Sequence, residues 1–122
     1  MSLNIEIKTI PHEKQRYDTV GDWYLEDGIQ KFRISELSNK KLEIMIAIHE
    51  LIEQALCEAD GITEKQVDEF DKTDLGDDAY EHGDQPDAPY RNQHCFATGV
   101  ERLLCAAFNI IWKEYEKELN NL

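Results

Sequence analysis

The sequence predicts an α+β fold in which an N-terminal antiparallel β-sheet packs on two long helices. Three observations support this class: a hairpin pattern within residues 4–36, an apolar helical pattern over about 39–60, and a second one over about 89–108. A single domain spanning residues 1–122 accommodates all three patterns, because about 100 to 150 residues is the usual size of a domain.

The predicted sheet covers residues 4–36 and contains a β-hairpin. The Asp27-Gly28 pair stands between two segments rich in aromatic and β-branched residues, and such a pair supplies the positive φ angles of a two-residue turn. That turn places Trp23 opposite Phe32. We expect this aromatic pair, beside Leu25, to form the buried face of the hairpin.

Two helices dominate the remainder of the chain. Asn39 is a favoured N-cap residue for the first helix at about 39–60, whose apolar side chains cover nearly its whole circumference. Such a pattern is typical of a helix at the centre of its domain. An acidic loop is predicted at about 71–87, the second long helix at about 89–108, and further helical turns at 110–120.

Composition and charge exclude several classes of partner. The chain has 26 acidic and 13 basic residues, a net charge of -13 that repels nucleic acid and anionic membranes. Residues 58–87 contain 12 of the acidic residues but only two lysines, so the acidity is concentrated between the two long helices. Three cysteines without a CxxC pair, and no visible signal peptide, favour a cytoplasmic protein. The oligomeric state stays open.

The clearest candidate for a metal-binding motif is His49-Glu50-Leu51-Ile52-Glu53, within the first long helix. His49 and Glu53 are four residues apart, so they share one helix face, and that face is an apolar stripe. Burying such groups without partners is costly, and a metal ion compensates them efficiently. The HExxE pattern therefore places two candidate ligands one turn apart, as HExxH helices do for zinc.

The second long helix supplies a third candidate ligand, His94, with His82 in the acidic loop as an alternative. Two histidines and one glutamate are a composition that catalytic zinc sites use, so Zn2+ is favoured over other divalent metals. Glu101 lies two turns beyond His94 and is predicted to be a fourth ligand or a partner of one. The predicted metal ligands are therefore His49, Glu53 and His94.

Two further residues are assigned catalytic roles. Glu50 is predicted to act as a general base on a metal-activated water, and Tyr90 to donate a hydrogen bond to a developing oxyanion. A purely structural interpretation remains open, in which His49 pairs with Glu53 or Glu101 without any metal and Tyr90 only packs.

These residues together resemble a group of small uncharacterised bacterial and prophage proteins that are zincin-like. The resemblance rests on Val20-Gly21-Asp22-Trp23, the HExxE helix, the acidic insert and a downstream DxPYxxxH motif from Asp87 to His94. It covers about residues 17–115 and implies a zincin-like minimal core. It also implies a metal-dependent hydrolase of peptide or amide bonds with a peptide or protein substrate, although glutamate in place of the second motif histidine favours metal binding over proteolysis.

Two other functions fit the same residues. A magnesium-dependent nucleotide pyrophosphohydrolase would place Glu50, Glu53 and Glu101 on facing helices. The hairpin and the two histidines count against it, because magnesium prefers oxygen ligands. A non-enzymatic phage or host interaction protein would use the helix pair structurally and bind a basic partner through its acidic loop.

Overall fold

The computed structural model describes residues 2–75 and 81–122 and confirms the α+β class. Within these residues a three-stranded sheet is followed by four α-helices, and a short 3-10 helix, His82–Asp84, precedes the third of them. The strands are β1 (Ile5–Ile10), β2 (Gly21–Glu26) and β3 (Ile29–Ser35), and the helices are α1 (Lys40–Ala59), α2 (Glu64–Asp71), α3 (Arg91–Ala107) and α4 (Trp112–Asn120).

The hairpin of β2 and β3 has the predicted register, with Trp23 opposite Phe32 and both side chains buried. The turn residues Asp27 and Gly28 have φ angles of 54° and 75°. The prediction for Leu25 was wrong, since its side chain is 62% exposed near the hairpin tip.

Strand β1 makes the sheet mixed rather than wholly antiparallel. The strand order is β1-β3-β2, with β1 parallel to β3 and β2 antiparallel to it. Parallel neighbours usually need a long helical crossover. Here β1 and β2 run in opposite directions, so residues 11–20 have only to cross one end of β3 to join them.

The helix boundaries follow local signals. The Asn39 side chain accepts hydrogen bonds from two backbone N–H groups in the first turn of α1, and α1 ends just before Gly61, whose φ is 74°. The third helix begins at Arg91, two residues after the predicted start, because Tyr90 (φ -113°, ψ 22°) is its non-helical N-cap. Asn109, with a φ of 58°, separates α3 from α4 at the gap between the predicted helical segments 89–108 and 110–120.

The first long helix contacts β2, β3 and α3, which confirms its central position. One apolar cluster is built around Trp23 and Phe32, and a second contains Met45 and Tyr115. Of the predicted acidic loop at 71–87, Asp71 ends α2, and residues 76–80 lie outside the described part of the chain.

No single helix in the described residues is long and apolar enough to cross a membrane; α3 and α4 meet that test only as a pair bent by 119°. Cys57, Cys95 and Cys105 are free thiols.

Candidate metal centre

The three predicted metal ligands lie together between α1 and α3. His49 Nε2 is 3.2 Å from Glu53 Oε2, and His94 Nδ1 is 3.0 Å from the same oxygen. All three residues are buried, and one ligand atom from each lies within 4.8 Å of the others. Nitrogen and carboxylate donors in this ratio suit zinc and other first-row transition metals.

The remaining oxygen of Glu53 is held by β2. Trp23 Nε1 donates a hydrogen bond of 3.2 Å to Glu53 Oε1. Trp23 was predicted only to pack against Phe32, although a buried indole N–H usually requires an acceptor and is therefore a signal for this bond. Glu53 therefore receives three donors from three different elements, which fixes the direction of its carboxylate.

A second carboxylate stands behind His49. Glu101 Oε1 lies 2.7 Å from His49 Nδ1, a close ionic contact that is not aligned as a hydrogen bond. The Tyr115 hydroxyl of α4 donates a hydrogen bond to the other oxygen of Glu101. The structure thus places Glu101 on the side of the ring away from Glu53, where it contacts a predicted ligand.

The outer nitrogen of His94 faces the segment that precedes α3. His94 Nε2 is 3.2 Å from Asp84 Oδ1 and 3.3 Å from Glu81 Oε2, again without hydrogen-bond alignment. Neither residue was predicted from the sequence, because nothing there distinguishes Asp84 and Glu81 from the other acidic residues of the loop. The alternative ligand His82 is directed elsewhere, with its Nε2 2.6 Å from the carbonyl oxygen of Thr73.

The charges at the centre compensate one another. Burial acts to raise the pKa of Glu53, but the N–H groups of His49 and His94 outweigh it and lower that pKa to about 2. Burial acts to lower the pKa of His49, but Glu101 and Glu53 outweigh it and raise that pKa to about 10. Burial opposes the charge of His94 too, yet Asp84, Glu53 and Glu81 raise its pKa. Both shifts favour the protonated form of the rings, so we expect their positive charge to offset that of the surrounding carboxylates in the metal-free protein.

The predicted base, Glu50, lies on the wall of the same cleft. Burial, reinforced by the negative charge of Glu53, raises the pKa of Glu50 well above its usual value. Its side chain passes the backbone of β2 so closely that a methyl group at Gly21 would lie 2.6 Å from Glu50 Cγ. A glycine at this position therefore leaves room for the Glu50 carboxyl beside the centre.

The other predicted catalytic residue, Tyr90, is buried next to the centre, with its ring centroid 6.1 Å from that of His94. Its hydroxyl donates a hydrogen bond to Asp71, which also accepts one of 3.0 Å from Tyr17. Burial raises the pKa of Asp71 to about 6, although both hydroxyl groups act to lower it. An oxyanion role for Tyr90 would require this hydroxyl to turn away from Asp71.

The ligands line a cleft of about 220 Å³. Eight acidic side chains contribute to its wall, whereas no lysine or arginine of the described residues does. Arg16 already pairs with two of these carboxylates, Asp22 and Asp68, so a cation bound in the cleft would offset the negative charge of the others. The eight are Asp18, Asp22, Glu50, Glu53, Asp68, Asp71, Glu81 and Glu101.

The close packing of Gly83 against the His94 ring gives a direct test of this geometry. A methyl group at Gly83 would lie well inside van der Waals contact with that ring, whereas one at Gly99, on the open side of α3, meets nothing within 4 Å. We expect Gly83→Ala to lower the free energy of unfolding by about 1–3 kcal/mol, the usual cost of overpacking. Gly99→Ala should raise it by about 0.5–1 kcal/mol, because alanine favours a helix interior. Urea unfolding of both variants measures the difference, and equal effects would show that Gly83 does not pack on His94.

Comparison with protein families, with curated protein sequences and with solved structures finds no match to this chain.

Proposed function

We propose that the protein binds zinc through His49, Glu53 and His94 and acts as a zincin-like hydrolase of peptide or amide bonds in the cytoplasm. The observation that carries this proposal is the meeting of two histidine nitrogens, from two helices, on one buried carboxylate oxygen inside an acidic cleft. Three protein ligands of this composition leave a position for water or substrate in tetrahedral coordination. Zinc is favoured over magnesium because two of the three donors are nitrogen.

The chemistry would be shared between the metal and the chain. A bound zinc ion supplies a Lewis acid that polarises a carbonyl oxygen and lowers the pKa of water. Glu50 would be the proton acceptor, since its carboxyl lies in the cleft and burial raises its pKa above the usual value. Trp23 and Glu101 hold Glu53 and His49 in position.

Metal analysis tests the binding step. Protein purified without added metal should contain about one zinc ion per chain, as expected for a three-ligand site. His49→Ala and His94→Ala should each reduce zinc to less than about a tenth of that amount, since each removes one of the three ligands. The matched controls are His12→Ala and His82→Ala, because His12 pairs with Ser35 and Asp18, and His82 with Thr73. Zinc retained in both ligand variants would rule out this ligand set.

One variant of the same helix tests the catalytic step. Glu50→Gln should keep zinc and reduce hydrolysis of a fluorogenic peptide library by about 10²- to 10⁴-fold, the usual contribution of a general base. Glu58→Gln, on the exposed side of α1, is the control and should keep both properties. Magnesium-dependent nucleotide turnover that survives His49→Ala would instead favour the pyrophosphohydrolase. A zinc-free protein that stays folded after His49→Ala would favour the non-enzymatic interaction protein.

A further inference from the structure

The two histidines present different ring nitrogens to the centre. His49 directs Nε2 to Glu53 and Nδ1 to Glu101. His94 does the reverse, directing Nδ1 to Glu53 and Nε2 towards Asp84 and Glu81. Each ring therefore lies between an inner carboxylate, which both rings share, and an outer carboxylate of its own.

The observed orientation of the His94 ring is the one that gives both nitrogens an acidic neighbour. Turning the ring over would exchange each nitrogen with a carbon, so that C–H groups would face Glu53 and Asp84. The ring is also confined, because a methyl group added at Gly83 would lie only 2.3 Å from it. The position of Nδ1 is thus determined by the charges on both sides and by the packing against its face.

An outer carboxylate has a specific effect on a ligand histidine. A ring that donates its outer N–H to a carboxylate keeps the lone pair on its inner nitrogen and is held in one orientation. Glu101 lies close enough to accept this N–H from His49 once the two groups are brought into line, and it is itself held by the hydroxyl of Tyr115. Asp84 is placed to do it for His94 from the 3-10 helix His82–Asp84, next to the glycine that packs on the ring.

We propose that the buried Glu101 and the partly exposed Asp84 are positioning residues, which make His94 bind the metal through Nδ1 and His49 bind it through Nε2. This inference rests on the proposed zinc site and adds the ligand atoms and their supports. It also gives a function to the C-terminal end of the predicted acidic loop at 71–87, because Asp84 of that loop contacts His94 of α3 at the metal centre.

A second cation is the competing explanation of the same contacts. Glu81, Asp84 and His94 also bring ligand atoms within 4.8 Å of one another. Occupation of that outer position would use His94 Nε2. The inner position would then need the same ring through Nδ1, and a neutral imidazole has only one lone pair to offer. A single inner ion avoids this conflict, because His94 Nε2 then keeps its proton for Asp84, 3.2 Å away.

The ligand atoms can be identified by NMR of full-length protein labelled with 15N-histidine and loaded with 113Cd. We expect one cadmium ion per chain, with one-bond coupling to His49 Nε2 and to His94 Nδ1. Coupling to His94 Nε2, or two cadmium ions per chain, would overturn this inference while leaving metal binding intact. Absence of cadmium and zinc binding would overturn the proposed function itself.

Zinc titration of three variants tests the positioning role. Asp84→Asn and Glu101→Gln should each weaken zinc binding by about 10- to 100-fold, as is usual for a lost partner of a ligand histidine. Asp84→Glu should recover part of that loss, because it restores a carboxylate. Asp87→Asn, an exposed change in the same segment, is the control. Zinc affinity equal in Asp84→Asn and Asp87→Asn would overturn the role of Asp84.

Discussion

Glu53→Gln is expected to lower the free energy of unfolding of the metal-free protein by about 3–5 kcal/mol at pH 7, the usual cost of breaking a buried ion pair. Glu53 is 4% exposed, and its Oε2 contacts a nitrogen of each of two rings that meet edge to face with their centroids 4.8 Å apart. Glutamine keeps the size of the side chain but removes the negative charge, so the two protonated rings would repel each other. The same change should abolish zinc binding.

The control for this change is Glu58→Gln, which removes an acidic residue from the exposed side of the same helix and should cost less than about 0.5 kcal/mol. The pH dependence gives a second check. Because the pKa of Glu53 is lowered from 4.5 to about 2, its stabilising contribution is present above pH 4.5 and is lost as the pH falls through about 2. Urea unfolding should therefore show the difference between wild type and Glu53→Gln shrinking below pH 4.5. A difference that is small at pH 7, or independent of pH, would mean that the rings do not depend on this carboxylate.

Local patterns accounted for most of the fold. The Asp27-Gly28 turn predicted the hairpin register, and Asn39 predicted the start of α1, because both effects act within a few residues along the chain. The parallel position of β1 was not predictable in this way, since it depends on which edge of β3 the strand reaches. Leu25 was misplaced because alternation identifies a strand face but does not show how far the helices extend over it.

In the candidate site, too, local sequence patterns identified some residues, whereas other contacts depend on how the elements pack together. His49 and Glu53 could be recognised as an unusual polar pair within an apolar helix stripe, and the apolar face of α3 pointed to His94. Glu101 was identified, although its contact with the outer nitrogen of His49 required the packing of α3 on α1. Asp84 carried no signal, because its approach to His94 depends on the course of a segment without periodicity.

The protonation of the metal-free centre determines how many protons it must release when a metal ion binds. The pKa of His49 is raised to about 10, and that of His94 is raised as well, so we expect both inner nitrogens to carry protons at pH 7. A metal ion needs the lone pairs of those nitrogens, and zinc binding should therefore release about two protons per ion. Since protons compete with the metal, zinc affinity should rise with pH by about 100-fold per unit around neutrality, and less steeply as the pH approaches the pKa of His49.

Calorimetric titration with zinc in two buffers of different ionisation enthalpy measures this proton release directly. His12→Ala should release the same number as wild type, because His12 lies outside the centre and pairs with Ser35 and Asp18. Tight zinc binding with no proton release would show that both rings are neutral in the metal-free protein. In that case the negative charges of Glu53, Glu101 and Asp84 would not be compensated by the histidines before the metal binds. Burial would then lower the pKa of each histidine by more than the carboxylates raise it.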